Sequence, residues 1–318
     1  LQCSYWQYRA VPDSFITLIS FIMKPLLSPK ELADAIGVSE SSIKRWVDNG
    51  IIHAIKTAGG HRRIPINEAV RYLRESQATL VNPESIGLSD VASLASPEGL
   101  GGDEGEALYG YLREGLADPA RGLVLSMFLN GRTVAQIVDG PLRGAMERLG
   151  ELWREDNHGI FWEHRATEIA ISAISRLRML IPPRAEDAPT GVGGAPPGDP
   201  YILPTLCAAA VLESQGVNAV NLGADTPIHS LLLASQAVRA QLIWLSVSFL
   251  TDPAQLQHEL EALARRVSSN RISIVIGGSQ SAALRLPDST FCHVGTSMRE
   301  LEAMVKGLMV GAEGPAST

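Results

Sequence analysis

Gly37 and Ser39 stand two residues apart, and few pairs constrain a chain more. The glycine ends a helix and the serine begins another. Upstream, Ser28-Pro29-Lys30-Glu31 supplies an N-cap serine, a proline at the first helical position and a glutamate that closes a capping box. Leu32, Ala33 and Ile36 give that helix its buried face. Downstream, Ile43, Trp46 and Val47 fall on one apolar stripe before Gly50 stops the second helix. Two short helices joined this tightly predict a helix-turn-helix. Next, Ile51-Ile52-His53-Ala54-Ile55 and Arg63-Ile64 flank Ala58-Gly59-Gly60, the pattern of a two-stranded wing. Asn67 can cap a third helix from Glu68 to about Ser76.

Charge bears on what this block touches. The 318-residue chain has a net charge of −7, which argues against a polyanionic partner. Residues 23–75, however, carry nine Lys/Arg against six Asp/Glu, so the block is +3 and the 243 residues after it are −10. Ser41, Ser42, Lys44 and Arg45 fall on the outer side of the second helix, and Lys56, Thr57, His61, Arg62 and Arg63 on the wing. A helix offered to the major groove beside a cationic wing suits phosphate contact plus base readout, so double-stranded DNA is the expected partner. A solvated polar face on a small helical domain is the plainer reading.

On these residues the stretch Leu27 to Leu73 resembles the MerR-type winged helix-turn-helix domain. Val38-Ser39-Glu40-Ser41-Ser42-Ile43-Lys44-Arg45-Trp46 and Thr57-Ala58-Gly59-Gly60-His61-Arg62-Arg63 carry the likeness. The resemblance implies a dimeric transcription factor on a palindromic operator.

The remainder divides by composition. Residues 1–22 are expected to be an extension that is not native, upstream of a start at Met23, and 23–80 the DNA-binding domain. Residues 81–102, rich in Ser, Pro and Gly, are expected to be a flexible linker. Residues 103–182 have helical periodicity throughout, with segments near 104–117, 119–130, 133–150 and 157–181 broken by Pro119, Gly131 and Gly159, which predicts a four-helix bundle. From 188 to 311 short apolar runs alternate with helices, the pattern of a Rossmann-like, doubly wound parallel sheet that binds ligands at its carboxyl edge; 312–318 are a tail. The fold class is thus multidomain, α and α/β. Cys3, Cys207 and Cys292 form no framework of short spacings, and no apolar run is long enough to cross a bilayer, so a cytoplasmic location is expected.

Within the sheet region, Leu222-Gly223-Ala224-Asp225-Thr226-Pro227, Ser246-Val247-Ser248 and Gly277-Gly278 follow three strand candidates, and such small residues let a flat or long ligand approach the backbone. Trp244, Tyr201, Cys207 and His229 fall near the edges of the same region, though each is more often an ordinary sheet or helix residue. In the bundle, Trp153 is followed after nine residues by Glu163-His164, a spacing that alone marks only a core tryptophan and a polar helix face.

Taken together, residues 105–310 resemble the cobalamin-binding half of the CarH/LitR family of light-sensing repressors. The resemblance implies that Trp153 packs against an upper axial adenosyl group, that Glu163 contacts that group, and that His164 reaches cobalt once it is lost. It implies further that Ser246, Ser248, Gly277 and Gly278 line the groove for the nucleotide tail, with Leu222 and the loop carrying Asp199 and Tyr201 beside it.

That loop departs from the family. An acid, any residue, His, two residues and Gly is the usual run, its His ligating cobalt from below; here Gly198-Asp199-Pro200-Tyr201-Ile202-Leu203-Pro204 puts Tyr201 in place of His and Pro204 in place of Gly. A phenol with a pKa near ~10 is a poor substitute for imidazole. Three outcomes stay open: adenosylcobalamin held without a protein ligand from below, another tetrapyrrole such as haem or a bilin, or no ligand. The resulting expectation is a regulator, not an enzyme, in which ligand state sets homo-oligomerisation and operator binding. A corrinoid protein of methyl transfer is the alternative from another class.

Overall fold

The computed structural model describes residues 24–94, 103–152, 159–268, 272–286 and 291–312. The chain divides into two compact units, Leu1–Ser93 and Leu94–Thr318.

In the first unit β1 (Leu26–Leu27) precedes α1 (Pro29–Ile36) and α2 (Glu40–Asp48), followed by β2 (Ile55–Lys56), β3 (Arg62–Pro65) and α3 (Ile66–Ser76). The capping box at Ser28 and Glu31 is formed, with Glu31 N donating to Ser28 Oγ at 3.2 Å and Ser28 N to Glu31 Oε2 at 2.7 Å. Gly37 takes φ +70° at the end of α1, a conformation that costs glycine little. β3 lies between β1 and β2 in an antiparallel sheet, so the wing strands also close the core. Leu27, Leu32, Ile43, Ile52, Ile64, Val70 and Leu73 fill that core.

Two expectations need correction here. The third helix begins at Ile66 after Pro65, and Asn67 lies inside it rather than capping it. The segment expected to be a flexible linker is structured as far as residue 94. Val81 N and Asn82 N both donate to Ala35 O, at 2.7 and 3.0 Å, and a 3-10 turn Pro83–Ile86 leads into α4 (Ser89–Ala92). Ile86 and Leu88 are fully buried, and a Ser/Pro/Gly-rich composition concealed this apolar pair.

The second unit opens with helices. α5 (Glu104–Glu114), α6 (Ala117–Leu129), α7 (Val134–Ile137), a π turn Val138–Leu142, α8 (Arg143–Leu152) and α9 (Gly159–Arg178) make the bundle. Pro119 does not break a helix, because it sits in the first turn of α6 where a missing N–H costs nothing; Gly115, at φ +77°, makes the break. Pro141 cannot donate within its helix, and the π turn lies around it.

The sheet follows: β4 (Thr190–Gly194), α10 (Ile202–Ser214), β5 (Asn218–Asn221), α11 (Ile228–Ala237), β6 (Leu242–Ser246), α12 (Pro253–Ser268), β7 (Ser273–Gly277), β8 (Cys292–Val294) and α13 (Met298–Ala312). All five strands are parallel, in the order β5-β4-β6-β7-β8, a doubly wound arrangement whose order reverses between β4 and β6. On one face Val192, Ile243, Leu245, Ile274 and Ile276 pack against α11 and α12. On the other, Trp244 lies over β4, where its register partner is Gly193. A Cβ on Gly193 would fall 2.0 Å from the indole, so this strand is poor in side chains because a neighbour occupies the space. Arg178 binds Glu213 through two bonds of 2.7 Å and Arg184 adds a third contact, tying α9 to α10. Among the described residues no helix is long and apolar enough to cross a membrane.

Candidate functional site

Two sites emerge, one in each unit. In the first, Ser39 caps α2, and its Oγ stands 2.8 Å from Ser41 Oγ and 2.9 Å from Ser42 Oγ, so those two hydroxyls gather at the helix start. Ile43 is buried beneath, and Lys44 and Arg45 are exposed on the outer surface. Lys44 pairs with Glu40 one turn earlier at 2.8 Å. In the wing, Thr57 N donates to His61 O, His61 N to Thr57 Oγ1 and Gly60 N to Thr57 O, so Thr57 holds the turn rather than projecting freely. Arg62 is committed elsewhere: its Nη2 donates to Asp48 Oδ1 at 2.6 Å. Arg45 and Lys56 are exposed and Arg63 is half-buried, and none of the three has an ion-pair partner among the described residues.

Sequence reasoning missed the scaffold behind this face. Arg71 donates to Glu68 and to Ile51 O at 2.8 Å, and Glu68 Oε1 accepts from His53 N at 2.7 Å. Burial alone would raise the Glu68 carboxyl, but Arg71 and the His53 N–H hold it below the ordinary value of 4.5. Asp48 and Glu68 are acidic residues in a basic domain, and pattern alone gives no sign that each serves an arginine.

In the second unit a cavity of about 450 Å³ opens at the carboxyl ends of β6 and β7. Its walls are Leu203, Pro204 and Cys207 of α10, Trp244 and Ser246 of β6, Ser248 beyond it, Gly277 ending β7 and Gly278 after it, and Met298 and Leu301 of α13. Val138 and Leu142 of the π turn and Met146 of α8 form the bundle side. Gly278 takes φ +104°, and a Cβ there would stand 2.3 Å from Val247 O, so the backbone pass requires glycine. The structure thus gathers Ser246, Ser248, Gly277 and Gly278, together with Trp244 and Cys207. Trp244 Nε1 donates to Thr205 Oγ1 at 3.1 Å, which fixes the indole in the cavity wall. Burial, and then the charge of Asp139, push the Cys207 thiol up to about 12.

The other residues singled out fall differently. Asp199 is fully buried, and its carboxylate accepts from Tyr201 N at 3.0 Å, Ser248 N at 2.6 Å and Phe249 N at 3.0 Å. It therefore clasps the loops after β4 and β6, where the strand order reverses. Tyr201, Leu222 and Phe249 are exposed on the loops after β4, β5 and β6, outside the cavity lining. Glu163 and His164 lie on α9, 3.5 Å apart at their closest, and also outside that lining; His164 is largely exposed. His229 lines a separate groove of about 300 Å³ between α11 and α12. Trp153 lies outside the described residues. Among the described residues no group of three or more His, Cys, Asp or Glu could hold a metal.

Asp139, which the sequence did not mark, caps α13. Its carboxylate accepts from Met298 N at 2.9 Å and Arg299 N at 2.8 Å, and Arg143 pairs with it at 2.9 Å. The π turn is thereby fastened to the helix that borders the cavity.

Comparison with known proteins follows the same division. Residues 26–77 match the helix-turn-helix domain family. The dimethylamine corrinoid protein 2 of Methanosarcina acetivorans is 24% identical over 149 residues, 46% of this chain and 68% of that protein. The dimethylamine corrinoid protein 1 of Methanosarcina mazei is 23% identical over 182 residues, 56% of this chain and 83% of that protein. Among solved structures, the monomethylamine corrinoid protein of Methanosarcina barkeri aligns with a TM-score of 0.48 at 14% identity, over 64% of this chain and 96% of that one. A cobalamin-binding protein from Desulfitobacterium hafniense aligns with a TM-score of 0.33 at 16% identity, over 65% and 98%. The chain joins an N-terminal helix-turn-helix DNA-binding domain to a carboxyl-terminal region distantly similar to corrinoid proteins.

Proposed function

We propose that this chain is a DNA-binding transcriptional regulator of MerR type whose second unit binds a corrinoid and passes its state to DNA binding through homo-oligomerisation. One observation supports this most: a helix-turn-helix with exposed Arg45 and Lys56 and a half-buried Arg63 is joined in one chain to a parallel sheet with a cavity at its carboxyl edge. The donor set fits a corrinoid held by its arm and by apolar contact. Ser246, Ser248, Gly277 and Gly278 would take the nucleotide arm in a cavity of about 450 Å³, within the size range of small-molecule sites. Tyr201, Leu222 and Phe249 would offer an apolar rim to the ring. The loop after β4 offers no imidazole to the lower face, since Tyr201 stands there. When bound, adenosylcobalamin would supply a cobalt–carbon bond that light breaks, and His164, exposed on α9, would be the imidazole available to it. Oligomer state would then set affinity through the number of winged helices engaged at once.

The test is to mix the full chain with adenosylcobalamin in the dark, desalt it, and follow corrin absorbance and elution volume before and after illumination. Retained absorbance with a light-dependent change of size supports the reading; neither one overturns it. Tyr201 favours a second reading, because a phenolate binds ferric haem. A haem Soret band that survives desalting in the wild type and is lost in Tyr201→Phe would select it.

A further inference from the structure

We infer that Arg62 is a positioning residue that braces the wing against α2 through Asp48 and makes no contact with DNA, an inference that rests on the DNA-binding reading above. Arg62 opens β3 opposite Lys56 of β2, so its backbone belongs to the wing while its side chain reaches back to the end of the preceding helix. Asp48 is the last residue of α2. The carbonyl end of a helix carries partial negative charge, so a carboxylate there is unfavourable unless a cation covers it. The Arg62 guanidinium provides that cover at 2.6 Å, with its Nε buried on the protein side and the paired Nη2 at the surface. To clamp a phosphate, Arg62 would have to abandon Asp48 and leave that carboxylate bare beside a polyanion. The pair is also neutral as a unit, so it displaces no counterion on binding. Arg63, the next residue, has no ion-pair partner among the described residues, which gives the two neighbouring arginines opposite roles.

The experiment compares full-length variants on random-sequence duplex DNA across a salt series, alongside amide hydrogen exchange of the wing in the free protein. Arg63→Ala should lower the steepness of log K against log salt by about 0.9, the signature of one lost phosphate contact. The double variant Arg62→Ala with Asp48→Ala, which removes the neutral pair as a unit, should weaken binding about tenfold at every salt concentration with the slope unchanged, the cost of one charge-assisted hydrogen bond. Wing amides should exchange faster in Arg62→Ala and Asp48→Ala alike, and the swapped pair Asp48→Arg with Arg62→Asp should restore their protection. Arg62→Gln with Asp48→Asn carries the comparison if the double alanine variant fails to fold. A slope that falls in the Arg62→Ala, Asp48→Ala double variant as it does with Arg63→Ala, or wing exchange unmoved by either single variant, overturns the inference. Absence of salt-dependent DNA binding in the wild type overturns the DNA reading instead, and the exchange data still decide the brace.

Discussion

Gly193 has no room for a side chain, because the Trp244 indole already occupies the position a methyl group would take. Gly193→Ala should destabilise the second unit by about 1–3 kcal/mol, the usual cost of overpacking, seen as a lower urea midpoint. In a Trp244→Ala background the same substitution should cost less, because the indole it meets is gone, although Trp244→Ala is itself destabilising. Cys207 makes the complementary case. Its thiol, buried and pushed up to about 12, should resist alkylation in the native protein at neutral pH and react only on unfolding. At this scale the sequence was readable where chemistry depends on residue type. Ser246, Ser248, Gly277 and Gly278 stood out because small residues after strands admit a ligand, and they do share one cavity. It was unreadable where a residue's role is set by a partner distant in the chain. Asp199 drew attention as a loop acid, yet its carboxylate is consumed by three backbone N–H groups, two of them about fifty residues away.

Elements show the same split. Both helices of the turn were legible because their caps are local, Ser28 with Glu31 and Ser39 with Ser42. Residues 81–94 were not, since what orders them is burial of Ile86 and Leu88 and two backbone bonds to Ala35. The contact between Asp139 and α13 was hidden for the same reason, as it joins residues about 160 apart. Asp139→Asn keeps the shape but removes the charge; it should cost about 1 kcal/mol and speed amide exchange at Met298 and Arg299. Acid should loosen the first unit through Glu68. Its carboxyl lies lower in the folded chain than the ordinary 4.5, so it contributes stability in full above that value and loses it as pH falls through the lowered one. Thermal melts between about pH 6 and about pH 3 should show the wild type losing more of its melting temperature than Glu68→Gln.

The whole molecule combines opposite charges: a first unit whose residues 23–75 are +3 precedes a remainder of −10. On the proposed reading that asymmetry disfavours DNA contact by the acidic part and favours it by the small basic block, so the net −7 says little about the partner. A cavity at the carboxyl edge and a reader of DNA in one chain amount to a regulator only if occupancy of the first alters the second. The direct measurement is DNA affinity of the full chain at fixed salt, with adenosylcobalamin in the dark and again after illumination. A change in affinity on illumination, together with corrin absorbance eluting with the protein, is the predicted result. Identical affinity with and without the corrinoid, in dark and light, with no absorbance retained, would contradict it.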